Sequence, residues 1–339
     1  MQWFTPTEVG KTKYVQFSSR TITQKGYKAS SAKMLPAGAV LLTTRATIGD
    51  ASIALRDCCT NQGFQSLIAK NDNDNEFLYY LIQTKRKELK IKANGSTFIE
   101  ISNQEVKNVN VMVPDSKTQT KIAGFLSLID KRIETQNKII EDLNKLKKSL
   151  IEDNFANTEF SVSLKEVLKE RKSYSEKGLE YEHVTLSKDG IIPKGERYDR
   201  DFLVTDESKE YKITKLNDIC YNPANLKFGV ICLNNYKDSI FSPIYITFEV
   251  DKKYNPYYVS LYLTSDRFIK KILKYQQGTV YERMSVNPDD FLKGRLPIIK
   301  NQESFISLIK TIDNKCTVEK ELLKTFEIQK KYLLKNMFI

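Results

Sequence analysis

The chain repeats itself, and the repeat limits its architecture more than any other feature. Gly95-Ser96-Thr97-Phe98-Ile99-Glu100-Ile101-Ser102 resembles Gly278-Thr279-Val280-Tyr281-Glu282-Arg283-Met284-Ser285, which lies 183 residues further on. The same offset carries Pro114 onto Pro297, Gln119 onto Gln302, Ile129-Asp130 onto Ile312-Asp313, Lys147-Lys148 onto Lys330-Lys331 and Phe155 onto Phe338, without a gap. Self-similarity at one fixed spacing is the mark of a duplicated structural unit.

The apolar pattern is duplicated with it. Ile122, Leu126, Ile129, Ile133, Ile140, Leu143 and Leu150 follow spacings of three and four, with Gln136 and Lys147 interrupting. Phe305, Ile309, Ile312, Cys316, Leu323, Phe326 and Leu333 take the matching places, and Glu319 and Lys330 interrupt at the same two points. This is the seam of a coiled coil. Each helix follows a strand that ends on proline (residues 109–114 and 292–297) and runs for roughly 35 residues, about 50 Å. A helix of that length needs a partner for its stripe. The nearest partner is the other copy, and two-fold pairing makes the helices antiparallel, with a globular head at either end of the rod.

The heads read as mixed α/β (α+β). In the first, residues 38–44, 51–55 and 63–69 read as strands, with a turn at residues 48–50, and residues 75–92 as a helix. In the second, residues 218–221, 230–233 and 243–248 read as strands, with a turn near Phe228-Gly229, and residues 257–275 as the helix. The expected division is residues 1–116 and 156–299 for the heads and 117–155 and 300–339 for the helices. The second head opens with residues 163–177, whose Leu164, Val167 and Leu168 have no counterpart before Trp3. The first head is therefore expected to start late, through an alternative start or a gene rearrangement.

A length of 339 residues accommodates two such heads. The formal charge of +12 suits a polyanionic partner, because Lys and Arg release counterions from nucleic acid. A merely basic protein would show the same charge, but here Lys/Arg, the 18 Tyr residues and amide or hydroxyl side chains are interleaved outside the helices. That mixture fits phosphate positioning with base-edge contacts. No stretch approaches ~18 consecutive apolar residues, so no membrane span is expected. The start of the chain lacks a signal-peptide pattern. Cys58, Cys59, Cys220, Cys232 and Cys316 are odd in number and show no metal-ligand spacing, which fits a reducing cytoplasm and no metal site. Cys316 falls on the helical stripe and reads as core.

The stretch from Gln119-Thr120-Lys121-Ile122-Ala123-Gly124-Phe125 through Glu134 and on to Leu150 resembles the central conserved region of type I restriction-modification DNA specificity subunits. The run from Gly95-Ser96-Thr97-Phe98 through Pro114 resembles the end of their target-recognition domains. The resemblance covers nearly the whole chain. It implies a non-catalytic, cytoplasmic subunit with two target-recognition domains, each reading half of a bipartite double-stranded DNA target. The paired helices would act as a ruler that docks the modification (methyltransferase) subunits and the restriction subunits. It also implies no cofactor on this chain, with S-adenosylmethionine and ATP held by the partner subunits.

Enzymatic alternatives find little support. Gly10-Lys11-Thr12 imitates the end of a phosphate-binding loop, but Thr5 stands where that loop needs glycine. Asn222-Pro223-Ala224-Asn225 lacks the second proline and the aromatic of an amino-methyltransferase motif. Glu210-Tyr211-Lys212 and Pro288-Asp289-Asp290 stand in the wrong order for a nuclease, and a single histidine, His183, excludes multi-histidine metal sites. A stand-alone methyltransferase or nuclease and a pure coiled-coil scaffold remain the alternatives to a DNA reader.

For that reader, Lys11, Lys13, Ser18, Ser19, Arg20, Lys25 and Lys28 are the expected phosphate contacts of the first head. Thr44, Arg45, Asn61, Gln62 and Ser96 are its expected base-edge contacts, since Arg suits guanine and Asn or Gln suits adenine. The second head offers Tyr174, Lys188, Arg197, Arg200, Asn222, Lys227, Thr279, Tyr281 and Arg283. Lys121, Lys131, Arg132, Lys138, Lys145, Lys147 and Lys148 form charged helix faces, mostly solvated, with a share left for partner or phosphates.

Overall fold

A computed structural model describes residues 1–70, 72–95, 99–176, 180–188, 190–194, 210–278 and 284–338. They form two compact units, residues 1–139 with 319–339 and residues 140–318. This cut differs from the head-and-helix partition read from the sequence. The physical reason is that each head buries apolar side chains of the helix segments beside it, so those segments belong to its core.

In the first unit, strands Val40–Leu42 and Ala51–Ala54 pair antiparallel, with Tyr14–Val15 parallel alongside. Gly49 turns the hairpin at φ +86°, where a Cβ would lie 2.7 Å from the Arg86 side chain. Residues 64–67 join this sheet through single bridges, Thr43 to Phe64 and Val40 to Leu67. A second small sheet places Gln2–Phe4 between Arg20–Thr21 and Cys58–Thr60. The helix expected over residues 75–92 is two helices, Asn75–Thr84 and Arg86–Lys92, with Asp74 capping the first through the amides of Glu76 and Phe77. Val40, Leu42, Ile53, Phe77, Tyr80, Leu89 and Ile101 form the core, and Ala123 and Leu126 of the long helix pack into it.

In the second unit, Ile219–Tyr221 runs between Ile231–Leu233 and Ile246–Val250, antiparallel to both, and Leu168–Glu170 covers the far edge of Ile246–Val250. Ser161–Ser163 pairs with Arg295–Pro297. A five-stranded sheet adds, in spatial order, Gly190–Pro193, Glu182–Ser187, Ser239–Phe241, Tyr211–Thr214 and Tyr174–Ser175. Here too the long helical region is broken, into Pro256–Leu263 and Asp266–Ile272. The core is richer in aromatics: Phe155 of the long helix meets Tyr258, Tyr262 and Phe305 edge-on at 5.0–5.8 Å.

The long helices are Ser116–Ala156 and Gln302–Asn336. Within the first unit, Asp130 pairs with Lys330 at 2.7 Å, Arg132 lies over the Phe326 ring, and the buried Gln136 donates to the side chain and main chain of Glu319. Within the second, Lys147 pairs with Asp313 at 2.5 Å and Asn144 meets Cys316. In both units, contacts that advance along one helix retreat along the other, so the segments are antiparallel. The offset of 183 turns Asp130–Lys330 into Asp313–Lys147, and it turns Gln136 into its own partner Glu319. The polar interruptions of the seam are therefore its reciprocal pairing groups. Leu126, Ile129, Phe305, Ile309, Ile312 and Cys316 are buried, while Ile122, Ile133, Ile140, Leu143, Leu150, Leu323, Phe326 and Leu333 are half-buried.

Two readings of the repeat need correction. Residues 109–114 form no strand, whereas their counterpart Arg295–Pro297 does. A strand exists only with a neighbour to bond to, and Ser161–Ser163 supplies one in the second unit alone. The gapless alignment also conceals a compensated shift. Ile101 is buried and Met284 exposed; the true counterpart of Ile101 is the buried Val286, 185 residues on, as Asn287 is of the helix cap Ser102. By sequence count, the stretch from Gln277 to Ser285 is two residues longer than that from Asn94 to Glu100, and the stretch from there to the proline is two residues shorter.

Candidate nucleic-acid interface

In the first unit the expected base-reading residues gather around one strand end. Thr44 receives the main-chain bond of Ile101 at 3.1 Å and gives its own amide to Gly63 at 2.8 Å. Asn94 and Glu100 exchange two main-chain bonds at 3.0 Å and so hold the two ends of the stretch 95–99 together. Arg45 bridges to Glu100 and holds that carboxylate with its guanidinium at 2.8 Å, half exposed. Asn61 accepts the Gly63 amide at 3.0 Å. A Cβ on Gly63 would lie 3.2 Å from Asn61 Oδ1 and 3.8 Å from Arg45 Cβ, so the two side chains flank one small residue. Gln62 is exposed beside them. Arg45, Asn61 and Gln62 thus share a patch next to a loop, a layout suited to reaching base edges from a fixed backbone. Thr44 is fully buried and supports the loop through its backbone instead of offering its hydroxyl. Ser96 lies outside the described residues.

The basic candidates divide. Lys11 is exposed on a loop pinned by Ser52 Oγ, which accepts from the Gly10 amide and donates to Thr12 O. Arg20, Lys25 and Lys28 are exposed, the last two on the short helix Gln24–Lys28. Ser19 is exposed and its amide binds Glu8; Ser18 is tied to Gln2 and to the Arg20 carbonyl. Lys13 points inward. Its ammonium, with a side chain 10% exposed, sits 2.7 Å from Glu76, 3.0 Å from the Tyr80 hydroxyl and 3.1 Å from Ser127 Oγ. Tyr80 donates to Asp130 at 2.5 Å, and burial and then Asp130 hold its phenol well above the ordinary range. Tyr14, bound to Glu76, is pushed up to about 12 by burial and that carboxylate. This network ties head to helix within the unit and lines a cleft of about 770 Å³. Sequence reasoning missed it, because single polar residues far apart in the chain carry no periodicity.

The second unit hangs its loop from the same place. Val286 gives its amide to Pro223 O at 3.2 Å, Tyr221 donates its hydroxyl to Val286 O at 3.0 Å, and Gln277 and Ser285 exchange two bonds at 2.8 Å. Asp290 anchors the base, accepting from Gln277 at 2.6 Å and Lys293 at 2.5 Å, which gives the Asp289-Asp290 pair a structural place. Asn222 is buried and accepts from the amides of Ala224 and Asn225, so its side chain holds the turn and is not presented for reading. Lys227 is exposed over the ring of Phe228, and Tyr174 and Lys188 are exposed. Arg197, Arg200, Thr279, Tyr281 and Arg283 lie outside the described residues. His183 stands in the strand Glu182–Ser187 with its ring edge-on to Tyr211. No helix among the described residues is long and apolar enough to cross a membrane.

Two heads with matching loops and reciprocally paired long helices define a known architecture. The fold resembles the type I restriction-modification system S subunit from M. genitalium at a TM-score of 0.58, with 15% identity, over 100% of this chain and 92% of that one. A structure described as the basis of complex assembly and conformational transition of the type I R-M system matches at 0.57, with 14% identity, over 91% and 84%. Residues 3–145 match the type I restriction modification DNA specificity domain. The type I restriction enzyme MjaIX specificity subunit of Methanocaldococcus jannaschii is 38% identical over 161 residues, 46% of this chain and 37% of that protein. The putative type I restriction enzyme MjaX specificity subunit of the same organism is 26% identical over 113 residues, 33% and 27% of the two chains. The matched stretch thus spans about a third of the length of these relatives.

Proposed function

We propose that this chain is the DNA specificity subunit of a type I restriction-modification complex: it reads a bipartite duplex target, one half-site with each head, and performs no catalysis itself. The observation that carries this reading is the pair of equivalent loops. Both hang from equivalent strand ends, through Ile101 to Thr44 and Val286 to Pro223, yet the residues around them differ. A shared scaffold with different contact residues is what two readers of different sequences require. The net charge of +12 supplies the nonspecific attraction to phosphate.

S-adenosylmethionine, ATP and the bond-breaking steps belong to partner subunits in this reading. Exposed apolar residues on the long helices support docking of such partners: Phe125 and Leu308, and Ile139 and Leu322, recur at the repeat offset of 183. Exposed apolar groups at duplicated positions suit a partner present in two copies. Footprinting of the chain assembled with its modification subunits tests the proposal. Two protected half-sites flanking unprotected bases are expected; methylation of DNA by the isolated chain would overturn it.

A further inference from the structure

At their equivalent strand ends the two heads carry different chemistry. Thr44 receives the Ile101 amide as Pro223 receives the Val286 amide, so Arg45 and Glu100 stand where Ala224 and Ser285 stand in the second head. Arg45 and Glu100 lie directly opposite one another across a single antiparallel bridge, and Asn94 fixes the Glu100 main chain again through two bonds. Side chains directly opposite share one face. Their ends meet at 2.8 Å, Arg45 Nε to Glu100 Oε1, with the side chains 50% and 38% exposed. Contact at Nε engages one of five guanidinium donors, and Oε1 is one of two carboxylate oxygens. The chain turns sharply after Arg45: Ala46 adopts φ +56°, a region that residues other than glycine rarely enter, and Thr43 Oγ1 braces the turn by donating to Thr47 O at 2.6 Å. The ion pair is not needed to hold the loop ends together. Gln277 and Ser285 exchange the same two main-chain bonds at 2.8 Å with serine in the place of Glu100.

We propose, on the basis of the DNA-reading function above, that Arg45 and Glu100 form one reading unit for a single G·C pair of the first half-site. Arg45 donates to N7 and O6 of the guanine in the major groove, and Glu100 accepts from N4 of the paired cytosine. Along this edge guanine offers two acceptors and cytosine one donor, an order that no other base pair presents. O6 and N4 are joined by the base pair's own hydrogen bond, so they stand about 2.9 Å apart. A donor group and an acceptor group held 2.8 Å apart match that spacing. An A·T pair is rejected by the same groups: adenine N6 sets a donor against the guanidinium, and thymine O4 sets an acceptor against the carboxylate. An exposed ion pair of this kind contributes little to stability, so its removal bears on reading and not on folding. Ala224 and Ser285 carry neither charge, so other groups read the second half-site.

Selection of sites from randomised duplex DNA by the chain assembled with its modification subunits, followed by replacement of single base atoms, tests the unit. The native chain is expected to select a divided target with a fixed G·C pair in one block. Arg45→Ala is expected to cut discrimination at that pair about tenfold to a hundredfold, and Glu100→Ala to cut it at the same pair by less, with thermal unfolding unchanged. 7-Deazaguanine at that pair lacks the N7 acceptor; it should weaken binding of the native chain about tenfold and leave Arg45→Ala unaffected. N4-methylcytosine covers the outward N4 hydrogen; it should weaken the native chain and leave Glu100→Ala unaffected. If the native chain selects no divided target, the DNA-reading function and the Arg45–Glu100 unit fall together. If it selects one, the unit alone falls on any of three results: the two variants relax different positions or none, the shared position is an A·T pair, or the analogues weaken the variants as much as the native chain.

Discussion

The two heads share a scaffold and divide over how they close it. The second head fills its core with stacked and edge-on aromatics, Tyr221, Phe248, Phe291 and Phe268 among them, and locks its opening segment with a buried Arg171–Asp218 pair at 2.7 and 3.0 Å. Among its described residues the first head has only two ring contacts, Tyr79 with Tyr80 and Phe77 with Phe338. It ties sheet to helix through Lys13, Glu76, Tyr80 and Asp130 instead. A duplicated fold therefore tolerates replacement of apolar closure by a satisfied polar network, as long as the strand ends that carry the loops stay in place. Packing sets stability, and the loop bases set where the proposed reading residues stand.

The largest effect that sharpens this contrast concerns Phe155 and Phe338, which the repeat makes equivalent. Phe155→Ala removes a ring that is 2% exposed and touches three aromatics, and should cost about 3–5 kcal/mol in denaturant unfolding of the second unit. Phe338→Ala, which loses a half-buried ring against Phe77, should cost clearly less. Equal losses would show that the two heads close in the same way.

Next in size, Asp218→Ala leaves a largely buried guanidinium, whose pKa is raised chiefly by its hydrogen bond to that carboxylate, with only the exposed Glu249 at 3.4 Å. It should cost about 3–5 kcal/mol. Circular dichroism melts should place the loss in the second unit. Smaller is the seam. Gln136→Leu leaves the Glu319 carboxylate and carbonyl without this donor and should cost about 1–3 kcal/mol, whereas the double change Gln136→Leu with Glu319→Leu should be nearly neutral. A neutral single change would mean the pair does not set the seam. Smallest for stability is Arg45→Ala, within about 0.5 kcal/mol because the side chain is half exposed.

The helices were legible because an apolar spacing of three and four survives in any context; the duplicated interruptions Gln136, Lys147, Glu319 and Lys330 read only as breaks in the seam, and their pairing came from the structure. Strand 109–114 was misread because apolar alternation fixes a strand only when a neighbour exists, and residue content says nothing of the neighbour. Among site residues, Arg45 and Asn61 emerged together because their types suit base edges. Lys13 was misplaced because its side chain is drawn inward by Glu76 and Tyr80, more than sixty residues away in sequence, and Asn222 because its side chain caps its own turn at Ala224 and Asn225; Thr44 was misplaced because its strand end is buried. The shift that pairs Ile101 with Val286 was invisible because an insertion and a deletion cancel within one short stretch.

The central claim is that each head reads its own half-site. Selection of binding sites from randomised duplex DNA, using the chain assembled with its modification subunits and compared with the Arg45→Ala form, tests it most directly. The account expects two short specified blocks separated by unspecified bases, with Arg45→Ala relaxing one block by about 1–3 kcal/mol of discrimination and leaving the other intact. A single contiguous site, or an equal loss across both blocks, would contradict it.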